Sequence, residues 1–183
     1  MKQYLILVSF ILTFNFASAQ NKLYSSNKSD VSFFSKTPLQ DIDAKNTRAN
    51  SIINLSNREL VVRIPVSSFQ FKNKLMQEHF NENYMDTHQY PKATFKGTVT
   101  DISKVDFTKD GSYTANYTGK LTIKDVTKDI TGVAKFVIKD GKVTATSDIK
   151  VKPKDYHINI PATAGAKIAE ELTVDMIMDY TKK

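Results

Sequence analysis

Histidine and carboxylate side chains are the residues of this 183-residue chain that could support metal chemistry. Four of them lie close together in the sequence: His79, Glu82, Asp86 and His88. A metal site needs ligands that converge on one point, and helical spacing brings together only His79 and Glu82, at i and i+3. The spacing therefore does not predict a metal site, and nothing else in the sequence indicates a cofactor.

A second candidate for chemistry is His157, which follows Asp155 and Tyr156 and could act as an acid–base group. Nucleophilic catalysis also needs an activated serine, cysteine or similar group beside the base. No serine lies in a recognisable nucleophile turn, and the chain contains no cysteine. We therefore predict that the protein is not an enzyme.

Alternation of apolar and polar residues is the dominant pattern from about residue 59 onwards. It is clearest at 93–99, 113–123 and 143–151. Successive side chains of a β-strand point to opposite faces, so each stretch predicts a strand with one buried and one solvated side. The strands follow one another in short hairpins, and closing such a sheet removes its exposed edges. We predict an all-β fold, an antiparallel barrel of about eight strands.

Other signals place the remaining elements of this barrel. Residues 31–34 predict the first strand, residues 41–55 a strand with an irregular middle, and residues 60–66 the third strand. Residues 71–83 show helical periodicity, which predicts one short helix after the third strand. The Asp-Gly pairs at 110–111 and 140–141 predict two-residue turns. Residues 161–167 are predicted to form a loop of small residues.

The inward-facing positions indicate what the barrel could hold. Several are small residues, and they leave space that either large neighbours or a ligand must fill. A bound ligand would be an apolar chain, since each buried methylene contributes about 0.8 kcal/mol against an association cost of about 4–15 kcal/mol. A barrel filled by its own aromatic side chains is the alternative. The small inward residues are Ala93, Gly97, Ala115, Gly119, Gly132, Ala134 and Ala145.

The N-terminus indicates export. Residues 1–19 combine a lysine, an apolar stretch and an Ala-Ser-Ala end, the features of a cleaved secretory signal peptide. Cleavage is expected after Ala19, and a lipoprotein anchor would require a cysteine. Residues 20–183 then form one domain, and we expect the protein to be periplasmic or secreted.

The formal net charge of +7 has two interpretations. Outward-facing lysines of neighbouring strands could form a basic face that contacts a lipid phosphate or an anionic membrane surface. They could equally be a solvated exterior. Nucleic-acid binding is not expected, because the aromatic residues point inward, away from these lysines. The sequence allows either a monomer or a homodimer. The lysines concerned are Lys135, Lys139, Lys142, Lys150 and Lys152.

Sequence blocks in a fixed order resemble the YceI-like family of exported bacterial proteins, which are known as polyisoprenoid-binding or lipid-binding. The resemblance covers about residues 23–181. One departure is that residues 35–46 lack the histidine and glycine usual there. The blocks are Met76-Gln77-Glu78-His79-Phe80, Tyr90-Pro91-Lys92-Ala93-Thr94-Phe95, the stretch 119–128 and Asp155-Tyr156-His157-Ile158.

This resemblance implies a lipocalin-like, extended antiparallel barrel that holds a long-chain isoprenoid or fatty lipid, in a carrier or sequestration role. The alternative is a non-catalytic interaction or stress-related protein whose barrel is a filled scaffold. The family blocks and the inward rows together give the predicted ligand-binding residues, which are Phe33, Phe71, Met76, Phe80, Phe95, Tyr113, Tyr117, Leu121, Phe136, Tyr156, Met176 and Met178.

Overall fold

The computed structural model describes residues 22–183, so the predicted signal peptide lies outside the described part of the chain. The strands and helices of that part occur in this order: β1 Leu23–Lys36, β2 Asp41–Asn46, β3 Asn50–Asn54, β4 Glu59–Pro65, β5 Gln70–Phe71, α1 Lys74–His79, β6 Lys92–Val99, β7 Gly111–Ile123, β8 Val126–Lys139, β9 Lys142–Val151, α2 Ala162–Gly165 and β10 Leu172–Lys182.

Eight of these strands close into an antiparallel ring, which confirms the predicted barrel. Around the ring the strands follow the order β1, β3, β4, β6, β7, β8, β9 and β10. Antiparallel pairing of β10 with β1, from Tyr24↔Lys182 to Phe34↔Thr173, completes the circle. The short strands β2 and β5 extend the wall on the free edge of β1.

The predicted strand at 41–55 is two strands, β2 and β3, which pair with different stretches of the same edge of β1. Asn46, whose side chain is fully buried, fixes the break between them. Its amide nitrogen Nδ2 donates to the carbonyl oxygen of Pro65 at 2.7 Å, and its Oδ1 accepts from the backbone N–H of Arg48 at 2.8 Å. The predicted irregular middle is therefore an ordered, hydrogen-bonded turn.

One of the two predicted Asp-Gly turns is correct and the other is wrong. Asp140 (φ 51°) and Gly141 (φ 72°) both adopt the positive φ values of a two-residue hairpin between β8 and β9. Asp110 instead ends a longer connection from β6, which contains the 3-10 turn Ile102–Lys104, and Gly111 begins β7. The Asp110 carboxylate accepts a hydrogen bond from the backbone N–H of Asp140 at 3.1 Å. It therefore supports the other turn.

The helical stretch predicted at 71–83 contains α1 and a following π-helical turn, Phe80–Tyr84. The loop predicted at 161–167 contains the four-residue helix α2, which begins after Pro161. Alanine has the highest helix propensity, and proline is well suited to a helix start. With only four residues, α2 is too short to leave a periodic signal in the sequence.

The barrel has two different ends. At the closed end, β6, β8 and β10 finish and β1, β7 and β9 begin. That end is packed by Tyr24, Val99, Ile138, Val143 and Tyr180, all buried. The opposite end, called the mouth end here, carries α1, the π-helical turn and the segment 153–168. Among residues 22–183, no helix is long and apolar enough to cross a membrane.

Candidate functional site

An elongated apolar cavity of about 500 Å³ occupies the barrel interior and reaches the mouth end. Its walls are the inward faces of the strands, and its rim is formed by α1, the π-helical turn and residues from the segment 153–168. The space therefore lies where the alternating pattern points the apolar side chains. The side chains of the barrel therefore do not fill its interior completely.

The structure brings ten of the twelve predicted binding residues together around this cavity. They come from β1, β5, α1, the π-helical turn, β6, β7, β8 and β10, so distant parts of the sequence contribute to one wall. Their role in ligand binding remains a prediction. The ten residues are Phe33, Phe71, Met76, Phe80, Phe95, Tyr117, Leu121, Phe136, Met176 and Met178.

Tyr113 and Tyr156 are the two predicted binding residues that do not line the cavity. Tyr113 lies at the closed end, where its hydroxyl donates to the carbonyl oxygen of Lys109 at 3.0 Å and its ring lies against Gly111. Tyr156 ends the 3-10 turn Pro153–Tyr156 and is 4% exposed. It packs into the hydrophobic core, and burial raises the pKa of its phenol.

Four phenylalanines form an aromatic cluster at the mouth end: Phe33, Phe69, Phe71 and Phe80. The ring centroid of Phe33 lies 5.2 Å from that of Phe69 and 5.5 Å from that of Phe80, and Phe71 lies 5.0 Å from Phe80. Such separations are typical of favourable aromatic pairs. Phe69 was missed by the sequence analysis because it lies in a short irregular stretch between β4 and β5.

At the inward glycines, large neighbours fill the space, which is the first of the two alternatives given by the sequence. A Cβ on Gly97 would lie 2.6 Å from the ring of Phe95, and a Cβ on Gly132 would lie 2.3 Å from the hydroxyl oxygen of Tyr117. Each aromatic ring thus occupies the volume that the glycine leaves free. Ala134 and Ala145 do line the cavity.

Further lining residues come from two regions that the predicted site did not include. Ile53, Leu60 and Val62 are inward residues of β3 and β4, and the alternation of β4 could have identified two of them. Ile158 and Ile168 belong to the irregular segment after β9, which has no periodic pattern. That segment reaches the rim because the backbone N–H of Ala169 donates to the hydroxyl of Ser35 on β1 at 2.8 Å.

Polar groups of the lining are concentrated at the mouth end. Gln40, Asn73, His79 and Lys167 lie there, and the Gln40 amide is 3.9 Å from the sulfur of Met76. Deeper in the barrel, the hydroxyl oxygens of Tyr117 and Ser147 lie 2.9 Å apart, and burial raises the pKa of the tyrosine. The arrangement suits an apolar chain inside and a polar group at the rim.

The residues considered first for chemistry are dispersed. His79 lies on the rim, while His157 is exposed at the end of a 3-10 turn with φ 53° and does not line the cavity. Within residues 22–183, no cluster of three or more metal-binding side chains occurs. The outward lysines of β8 and β9 are exposed on the barrel wall, and Lys152 lies 3.8 Å from Glu171.

Comparison with known structures places this fold among characterised barrels. A polyisoprenoid-binding domain from Saccharophagus degradans, implicated in plant cell wall breakdown, superposes with a TM-score of 0.73 at 14% identity, covering 87% of this chain and 98% of that chain. BcnA from Burkholderia cenocepacia gives 0.69 at 19% identity, covering 84% and 96%. The Campylobacter jejuni YceI protein gives 0.54 at 20% identity, with both chains covered completely.

Sequence comparison gives the family. No curated protein matches the chain. The family model described as the YceI-like domain matches residues 23–179, nearly the whole of the barrel described above. This confirms the resemblance seen in the sequence blocks, and the chain therefore belongs to the YceI-like family.

Proposed function

We propose that this protein binds one long-chain lipid, a polyisoprenoid or a similar amphiphile, inside the barrel. The cavity of about 500 Å³ is the observation on which the proposal rests. Its volume falls within the range of about 300–1,000 Å³ that is usual for ligand pockets. An apolar chain is the ligand class that such a lining favours, because every methylene moved from water into the cavity contributes about 0.8 kcal/mol.

The distribution of polar groups supports one orientation for the lipid. Its chain would lie against Phe95, Leu121 and Phe136 inside the barrel, and its polar end would lie at the rim near Gln40 and Lys167. The name of the Saccharophagus degradans relative supports the choice of a polyisoprenoid. Family membership supports a binding protein rather than a catalyst.

Export and a carrier or sequestration role are part of the proposal. Residues 1–19 support export because they have the features of a cleaved secretory signal. A protein outside the cytoplasm that encloses a lipid chain would keep that chain out of water. It could then transfer the chain to, or withhold it from, a membrane or another protein.

Ala134 provides a direct test of the proposed function. It lines the cavity and is 5% exposed, so Ala134→Phe should fill the interior and abolish farnesol binding in native mass spectrometry. The matched control is Thr114→Phe, which adds the same ring on the exposed face of β7 and should leave binding unchanged. Because the cavity can accept the ring, we expect Ala134→Phe to lower the free energy of unfolding by less than 1 kcal/mol, below the roughly 1–3 kcal/mol typical of overpacking.

Ala115 supplies the comparison for stability. It pairs with Ala134 across β7 and β8 and is buried, yet it does not line the cavity. Ala115→Phe should therefore show the full overpacking cost of about 1–3 kcal/mol. If protein purified gently from its own host contains no extractable lipid, and the lipid-free protein does not bind farnesol, the proposed function is wrong.

A further inference from the structure

The barrel wall has a seam between β8 and β9. Pairing of these strands runs from Lys139↔Lys142 to Lys135↔Thr146 and ends there. Beyond that point, residues 126–134 of β8 pair with β7, and residues 147–151 of β9 pair with β10. Within the described part of the chain, no ladder joins these two stretches to each other. By contrast, the neighbouring β7–β8 ladder extends over the full strands, from Gly111↔Ile138 to Ile123↔Val126.

A side-chain hydrogen bond bridges the seam where it begins, directly after the last paired residues Lys135 and Thr146. The hydroxyl of Ser147 on β9 donates to the carbonyl oxygen of Val133 on β8 at 2.9 Å. Because its proton is used there, the Ser147 oxygen accepts from the hydroxyl of Tyr117 at 2.9 Å. At this point of the seam, the bond from Ser147 to Val133 connects the two strands where backbone hydrogen bonds are missing, and Tyr117 of β7 holds the serine in place. The 3-10 turn Pro153–Tyr156 contacts β8 and borders the seam at the mouth end.

Both sides of the seam belong to the cavity. Ile130 and Ala134 of β8 and Ile149 of β9 all line it, so separation of the strands would open the apolar interior to the outside. On the outer surface, Val133 is 49% exposed beside the seam. Apolar side chains are therefore present on both sides of the seam, towards the cavity and on the outer surface of the barrel.

We propose that this seam is a lateral exit through which the distal part of a long lipid chain leaves the barrel; the inference rests on the proposed function. A cavity of about 500 Å³ is of the size that encloses a drug-sized molecule, whereas a long polyisoprenoid is larger than that. Its excess length must pass out of the barrel. The closed end is packed, and in the proposed orientation the mouth end is taken by the polar end of the lipid, beside the aromatic cluster and α1. The seam is a part of the wall that no ladder holds within the described residues. The junction of β2 and β5 with β4 also lacks a ladder, but there the Asn46 side chain bonds to Pro65 and the aromatic cluster lies beside it.

This exit determines which ligands are accepted. Because the chain can extend beyond the cavity, the site selects for a linear apolar chain and a polar end but sets no upper limit on length. The short prenyl alcohol farnesol should remain enclosed, and the much longer solanesol should extend through the seam.

A fluorescent label beside the seam tests this. The chain contains no cysteine, so Thr131→Cys on the exposed face of β8 can be labelled specifically with bimane. Solanesol should shift the bimane emission to shorter wavelength, and farnesol should not, although native mass spectrometry shows both bound. Bimane on Thr114→Cys of β7 is the control and should respond to neither alcohol.

Removal of the bridge gives an independent measurement. Ser147→Ala should increase the association rate of solanesol about fivefold, the factor that corresponds to one ordinary hydrogen bond, and should increase it more than that of farnesol. The lateral exit is rejected if solanesol binds without changing the seam label, or if it shifts both labels alike. It is also rejected if Ser147→Ala leaves the solanesol rate unchanged. If neither alcohol binds the wild-type protein, the proposed function itself has failed.

Discussion

Tyr180 is a residue whose environment is more unusual than its sequence context indicates. It lies at the closed end of the barrel, and its hydroxyl is 2.6 Å from that of Ser51 on β3. The Ser51 hydroxyl in turn donates to the carbonyl oxygen of Val61 at 3.0 Å, so the tyrosine is the donor to the serine. Burial raises the pKa of Tyr180 to about 12.

This raised pKa predicts a loss of stability at alkaline pH. The unfolded chain releases the phenolic proton near pH 10.0, but the folded protein keeps it up to about 12. Stability from this group is therefore complete below pH 10 and falls as the pH rises towards 12, by about 3 kcal/mol in total. Urea unfolding at a series of pH values should show this slope in wild type and a shallower one in Tyr180→Phe.

The difference between the two proteins isolates Tyr180. Burial also raises the pKa values of Tyr24, Tyr117 and Tyr156, and these contribute equally to both curves. Parallel curves for wild type and Tyr180→Phe would show that the buried phenol does not ionise differently in the folded protein.

At the scale of single elements, α1 is a weakly supported part of the cavity rim. It has six residues, none of them buried, and Leu75 is largely exposed. Isolated helices of this length are unstable in water, so its ends and its contacts must hold it. The Asn73 side chain caps its N-terminus by accepting from the backbone N–H of Leu75 at 2.8 Å.

We therefore predict that Asn73→Ala loosens α1 specifically. Loss of an N-cap costs about 0.5–2 kcal/mol, so hydrogen exchange across residues 74–84 should accelerate, while exchange in β7 and β8 should stay unchanged. Asn73→Asp keeps a capping oxygen and serves as the control, with near wild-type protection. Equal acceleration in both variants would mean that the cap does not hold this helix.

The strands show how far the sequence can predict the elements, and why prediction stops. The period of two identified β6 to β10 because each has one buried and one solvated face, a property of the local sequence. The break at Asn46 depends on a bond to Pro65, far along the chain. The connection before Gly111 likewise depends on the 3-10 turn Ile102–Lys104 and on Asp140, which no local turn signal contains.

The cavity residues that lie on strands could be predicted from the same local alternation that identified the strands. Strand residues such as Phe95, Leu121 and Met178 follow from inward alternation, and all line the space. Tyr113 has the same alternation but lies too near the closed end to line the cavity. Ile158 and Ile168 reach the rim through an irregular segment. Position along the barrel axis, and not the facing direction, is what the pattern leaves undetermined.

Closure of the barrel is a property of the whole molecule. It depends on β1 and β10, the first and last strands of the described chain, whose side-by-side register joins Val31 to Met176 and Phe33 to Val174. The cavity exists only when this pairing has formed. The seam also belongs to this scale, because it results from β8 and β9 diverging towards different neighbours, and neither strand sequence indicates where their pairing ends.

Because the cavity exists only in the folded barrel, ligand binding should be coupled to global stability. A lipid that binds the folded state alone stabilises it by about 2.7 kcal/mol at a free concentration 100 times its Kd. For a domain of this size, each kcal/mol raises Tm by about 2–4 °C, so farnesol at that concentration should raise Tm by about 5–11 °C. Differential scanning fluorimetry of lipid-free protein across a farnesol titration measures this shift.

The form of the titration separates binding inside the barrel from adsorption to its surface. Above Kd, Tm should increase in proportion to the logarithm of the free farnesol concentration, since one site on the folded state gives that dependence. Ala134→Phe, with its cavity filled, should show no shift, and the surface variant Thr114→Phe should shift as wild type does. An equal shift in all three proteins would place the farnesol outside the cavity.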